Sequence, residues 1–182
     1  MTYSRTRYTK PAIWLHWIIA PIMVFMLFFG DNYIRVPRGQ SLAGWGPSAH
    51  ASLGVLILLL GMARLLWRLG NPPPPLPRTM SRWQTLVSHA VHWAFYALMI
   101  AIPVMGLFAL VPFGVERLHV EHVTFFNLVP VALMPNLGEW TINAHGLLAN
   151  VAQALVIVHL IAAVKHQFWD KDRLFERMDP RR

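Results

Sequence analysis

Residues 142–164 read INAHGLLANVAQALVIVHLIAAV, 23 residues without a charge. A helix rises about 1.5 Å per residue, so this run can cross a hydrocarbon core of roughly 30 Å, and it reads as a membrane-spanning helix. It carries two histidines, His145 and His159, 14 residues apart. At about 100° per residue they return to nearly the same face, separated along the axis by roughly 21 Å. One helix therefore offers two imidazoles to one interior, near opposite membrane surfaces. An ionisable side chain inside a membrane is unfavourable enough that it usually faces the bundle and serves a function. A lone histidine can equally do no more than bond across a helix interface, so the reading turns on whether partners exist at matching depths.

Composition narrows the class. With 182 residues, 55% of them hydrophobic and 13% charged, the chain reads as one compact membrane domain of several helices spanning residues 1–182, with no room for a second folded unit. Lys and Arg number 16 against 8 Asp and Glu. Such a basic balance raises nucleic-acid binding, but membrane topology accounts for it better, and no nucleic-acid partner is expected. The absence of cysteine excludes disulfides, iron–sulfur ligation, thiolate haem ligation and covalent c-type attachment. Any metal or haem must depend mainly on histidine. The basic start MTYSRTRYTKP precedes an apolar run too long for a signal core and without a small-residue cleavage motif, so it reads as retained.

Three further spans precede this helix. Ala12 to Phe29 is uncharged and holds His16 about one turn inside its start, with Pro21 expected to kink it. A second span starts near Ser48, with His50 in its first turn among Ala49, Ala51, Ser52 and Gly54, and Arg64 and Arg68 at its far end. Small residues there permit close helix packing or leave room for a flat macrocycle. Asn71 to Pro77, NPPPPLP, stiffens the following loop. The third span runs from about Leu86 to Val111 and begins with His89 and His92 on one face. Val123 to Met134, VTFFNLVPVALM, is too short to span and reads as an interfacial or re-entrant cap.

The expected fold is thus an all-α, integral membrane four-helix bundle. The N-terminus, the second loop and the C-terminal tail carry 13 of the 16 Lys and Arg residues, so both termini should be cytoplasmic. Alternating helix direction then places His16 and His159 near the cytoplasmic side, and His50 and His145 near the outer side. Neutral imidazoles bind iron well. Two on opposite sides of a porphyrin give six-coordinate b-type haem suited to electron transfer, and two such haems across one bilayer make an electron path.

These residues resemble the bacterial cytochrome b561 family. The likeness rests on Trp14-Leu-His16-Trp17, the His50 start of the second helix, Arg64-Leu-Leu-Trp-Arg68, the Pro-rich loop, Ser88-His-Ala-Val-His92, His166-Gln-Phe-Trp-Asp170 and Met178-Asp-Pro-Arg, and covers nearly the whole chain. It implies four helices in a bacterial inner membrane and two haems b, one held by His16 and His159 and the other by His50 and His145. It also implies a link to the quinone pool. A branch of the family oxidises superoxide at the outer face and passes the electron to ubiquinone, which makes superoxide the favoured small-molecule donor and ubiquinone the favoured acceptor. The outer loops depart from what an anionic substrate would favour, since Asp31, Glu116, Glu121 and Glu139 outnumber Arg35, Arg38 and Arg117.

Other residues admit two readings each. Arg64 and Arg68 could pair with haem propionates or simply set topology. His89 and His92 could bond a quinone carbonyl or carry its protons, against plain interfacial packing. His119 and His122 flank Glu121 in an H-x-x-H pair that could hold a metal, although two ligands are a weak signal. Two other functions are compatible with the pattern. One is the cytochrome b subunit of a multi-subunit dehydrogenase, with a protein partner. The other is a histidine-lined ion transporter, which would lack membrane-embedded carboxylates, because Asp and Glu occur only outside the expected spans.

Overall fold

A computed structural model describes residues 6–34, 45–77, 79–110, 124–126, 128–130 and 135–181. Four helices dominate it: α1 (Lys10–Ile34), α2 (Trp45–Gly70), α3 (Arg82–Ala109) and α4 (Trp140–Phe168). All four are long and apolar enough to cross a membrane. They pack α1 on α2, α2 on α3 and α3 on α4, with a lighter seam between α4 and α1 closing the ring. The chain is an integral membrane four-helix bundle, as the hydropathy pattern implies.

Each helix extends beyond its uncharged run because local chemistry supplies the ends. Helix α3 starts at Arg82 because Ser81 and Gln84 form a capping box: the Gln84 amide donates to Ser81 Oγ (3.2 Å) and the Ser81 amide to Gln84 Oε1 (2.8 Å). At the end of α2, Asn71 Nδ2 donates to the Trp67 carbonyl (3.1 Å), and prolines 72–75, which lack amide donors, carry the chain away. Gly138, at φ +92°, makes the left-handed turn into α4 that a side chain would resist. Thr141 Oγ1 then donates to the Gly138 carbonyl (2.8 Å). Helices α1 and α3 continue through Pro21 and Pro103.

The outer surface is apolar: Leu59, Leu66, Leu86, Leu147 and Ile161 each leave at least 60% of their surface open. In water such a skin would be unstable, whereas lipid tails cover it at no cost. The packed core occupies the middle of the bundle, from Ile19 and Met23 of α1, Ile57 of α2, Tyr96, Leu98 and Met99 of α3, and Ala152 of α4.

The expected cap takes the form of strands in its described residues. Its described part is a small antiparallel hairpin, β1 (Thr124–Phe125) paired with β2 (Val129–Pro130), built from aromatic and β-branched residues that suit a strand. The C-terminal tail is also ordered rather than a simple basic extension. A short 3-10 helix (Phe175–Met178) folds it back on the bundle, where Arg7 Nη2 donates to the Asp179 carbonyl (2.8 Å) and Trp17 Nε1 to the Met178 carbonyl (2.6 Å). Arg177 Nη1 reaches the Pro75 carbonyl (2.6 Å). The three basic segments, N-terminus, second loop and tail, therefore meet at one end of the bundle, here termed the terminal end.

Candidate functional site

The 14-residue interval of α4 recurs on the other three helices: His16 and Gly30 on α1, His50 and Arg64 on α2, His92 and Gly106 on α3. At four turns each, every helix contributes to two layers roughly 21 Å apart, one on each side of the apolar core. The layer at the terminal end contains His16, Arg64, His92 and His159. The opposite layer contains Gly30, His50, Gly106 and His145.

In the opposite layer the rings of His50 and His145 face each other with centroids 6.0 Å apart. Each is seated against a glycine of a neighbouring helix. A Cβ on Gly30 would lie 3.1 Å from His50 Cε1 and 3.2 Å from Nδ1, and a Cβ on Gly106 would lie 3.0 Å from His145 Cε1 and 3.1 Å from Nδ1. The second glycine has a further consequence. A helical Cβ leans toward the preceding turn, so its absence at Gly106 opens the carbonyl of Ile102, and His145 Nδ1 approaches that oxygen to 2.8 Å. A carbonyl only accepts, so Nδ1 carries the proton and Nε2 presents its lone pair. This is the tautomer and the backbone support that a metal-binding imidazole needs.

The same layer is roofed by the hairpin through two buried serines on either side of His50. Ser52 Oγ donates to the Ser48 carbonyl (2.7 Å) and accepts from the Phe126 amide (2.7 Å), while Ser48 Oγ accepts from the Thr124 amide (3.2 Å). Phe126 holds a left-handed φ of 50°, which is unfavourable without such restraint. Removing Ser52 Oγ is expected to cost about 1–2 kcal/mol locally, a factor of roughly 5 to 30 in hairpin opening. Amide hydrogen exchange at Phe126 should accelerate by that factor in Ser52→Ala, and an unchanged rate would refute the clamp.

At the terminal end, His159 of α4 faces His92 of α3 with ring centroids 6.2 Å apart, and Phe95 at 5.4 Å. His16 shares this layer with Arg64, His92 and His159, and it stacks edge-on against Trp17 at 5.3 Å. The arginines have local partners. Arg64 Nη1 donates to the Ala12 carbonyl (2.7 Å), and the Arg68 guanidinium lies 5.6 Å from the Trp93 ring and 5.4 Å from the Tyr96 ring, a cation–π arrangement. Tyr8 caps this corner, its hydroxyl pushed above the usual phenol range by burial against the opposing pull of Arg68 and Arg64. His89 is exposed on the bundle surface, whereas His92 is half-buried and turned inward, so the two expected quinone histidines do not share one environment. Sixty degrees of azimuth on a helix suffices to separate them. His119, His122, Arg35, Arg38, Arg117, Glu116 and Glu121 lie outside the described residues.

The family model for prokaryotic cytochrome b561 matches residues 7–180. The chain belongs to that family. Among its curated relatives are the probable superoxide oxidase CybB of Yersinia pestis, 28% identical over 97% of each chain. Cytochrome b561 homolog 2 of Escherichia coli K12 is 29% identical over 98% of this chain and 95% of its own length. Cytochrome b562 of Cereibacter sphaeroides is 27% identical over 94% of each. Membership makes this b561-family chain a multi-pass bacterial membrane cytochrome that binds b-type haem and transfers electrons.

The residues present fit such a group. Metal to imidazole-nitrogen bonds are about 2.0 Å, and a ring centre lies about 1.1 Å further, so an iron held axially by two imidazoles needs centroids about 6.2 Å apart. His50 and His145, at 6.0 Å, meet that span; at the terminal end the pair that meets it, at 6.2 Å, is His92 and His159. The donors are neutral-capable nitrogens without competing thiolates, and an apolar core separates the two layers. Sequence reasoning missed the two glycines and the serine clamp. The recurrence of the 14-residue interval on α1 and α3 was the available signal for Gly30 and Gly106.

Proposed function

We propose that this chain is a dihaem b-type cytochrome that carries electrons across the bacterial inner membrane, between a small-molecule donor at the outer face and the quinone pool. The observation that carries the reading is the pair of histidine layers at the two ends of the core, with His145 held in its metal-binding tautomer by Ile102. His50 and His145 would hold one haem, and His16 and His159 the other, with Arg64 and Arg68 near its propionates. Haem b, when bound, supplies a reversible one-electron couple; the chain supplies ligation, spacing and a dry core. The terminal end is assigned to the cytoplasm because the three most basic segments converge there. Superoxide is the favoured donor, a reading supported by the name of the Yersinia pestis relative, and ubiquinone is the favoured acceptor.

Two measurements test this. Haem extraction from purified protein should give two haems b per chain; one or none would reject the dihaem reading. Anaerobic mixing with superoxide should reduce the visible haem bands, and failure to do so while a reduced quinol succeeds would remove superoxide as donor. Co-purification of a stoichiometric soluble dehydrogenase would favour the anchor-subunit alternative. Quinone chemistry consumes protons, and His89 at the surface with His92 behind it would deliver them at the terminal end. Replacing both should slow quinone reduction several-fold with haem content unchanged, and normal turnover would move the quinone site elsewhere.

A further inference from the structure

The two layers are not equivalent. Among the described residues the opposite layer holds two imidazoles and two glycines, whereas the terminal-end layer holds three imidazoles and an arginine. His92 occupies the α3 position whose counterpart four turns along is Gly106. Where Gly106 provides empty space for His145, His92 provides a ring, and that ring stands across from His159 at 6.2 Å.

We propose that His92 is a reserve axial ligand of the terminal-end haem, able to complete the coordination of an iron held by His159 when His16 is removed or displaced. This rests on the dihaem reading above. Two features support it. The His92–His159 span equals what two axial imidazoles require, by the same bond-length argument that applies to His50 and His145. His92 and His159 also sit on α3 and α4, which pack closely, whereas His16 reaches α4 across the lighter seam of the ring. The exchange is electron-neutral: one imidazole nitrogen lone pair replaces another on iron, and no proton or electron leaves the site.

The test uses the full-length protein in detergent, with haem stoichiometry, low-temperature absorption and electron paramagnetic resonance of the oxidised form. His16→Ala should keep two haems per chain, both low-spin, with one of the two resonances shifted. His92→Ala should keep both unshifted low-spin haems. The double variant should lose one low-spin signal, leaving a high-spin or absent terminal-end haem, and added imidazole should restore low spin if the pocket is intact. His16→Gln provides the same comparison should the alanine variant fail to assemble. A high-spin or missing haem already in the single His16 variants, unaltered by further loss of His92, would overturn the proposal. A wild-type protein with fewer than two haems would instead overturn the dihaem reading beneath it.

Discussion

Replacing His145 by alanine should leave purified protein with one haem per chain, the terminal-end one, and replacing His159 should leave only the other. Each pair supplies two nitrogens, and the bis-imidazole geometry needs both. With one gone, the iron retains a single protein donor in a space shaped for two, and the hydrophobic layer alone does not fix the macrocycle. The loss should be selective because the layers are roughly 21 Å apart and separated by the packed residues Ile19, Met23, Ile57, Met99 and Ala152; substitutions that far apart act nearly independently. Pyridine haemochrome stoichiometry measures it directly. Loss of both haems from His145→Ala would show that the layers form one cooperative unit. Retention of both would show that His145 is not a ligand. His159 is the more demanding test of the pair, because His92 faces it at 6.2 Å and the proposed pairing with His16 depends on it as well.

The second large effect comes from a residue that touches no ligand. Gly106→Ala should weaken haem retention in the His50 and His145 layer by about 10- to 100-fold, the usual cost of losing a supporting contact behind a metal-binding histidine. The added methyl would lie 3.0 Å from His145 Cε1 and 3.1 Å from Nδ1. The ring must give way, and the 2.8 Å bond to Ile102 lengthens or breaks. The helix itself should not suffer, since alanine is about 1 kcal/mol better than glycine in a helix interior. A variant with full helix content, a normal terminal-end haem and a depleted opposite-end haem is therefore the expected phenotype. Gly54→Ala is the control, because a Cβ there meets nothing within 4 Å. Equal haem loss in both variants, or in neither, would remove Gly106 from the site.

Much of the architecture was legible before any coordinates. Four uncharged runs of sufficient length leave few options in lipid, where every backbone polar group must be satisfied within the segment. Histidines at matching depths follow from helix rise and alternating direction alone. The relation of His89 to His92 was not legible in the same way: spacing put them on one face, yet His89 is exposed and His92 faces His159. Helical periodicity gives angles relative to one axis and does not say where the neighbouring axis lies. The apolar stretch between α3 and α4 gave its hydropathy but not its form, because short runs of aromatic and β-branched residues suit either an interfacial helix or a hairpin.

The sequence by itself determined the number of spans, the convergence of basic charge on one end, and the depth at which each imidazole lies. These depend only on hydropathy, rise per residue and chain direction. The tertiary structure decided which neighbours each imidazole meets. It set His145 against Gly106 and the Ile102 carbonyl, His50 against Gly30, the hairpin onto Ser48 and Ser52, and His92 rather than a small residue opposite His159. Those are contacts between residues 20 to 76 positions apart, fixed by how four helices rotate about their own axes when they pack, and no pattern along a single helix encodes that rotation.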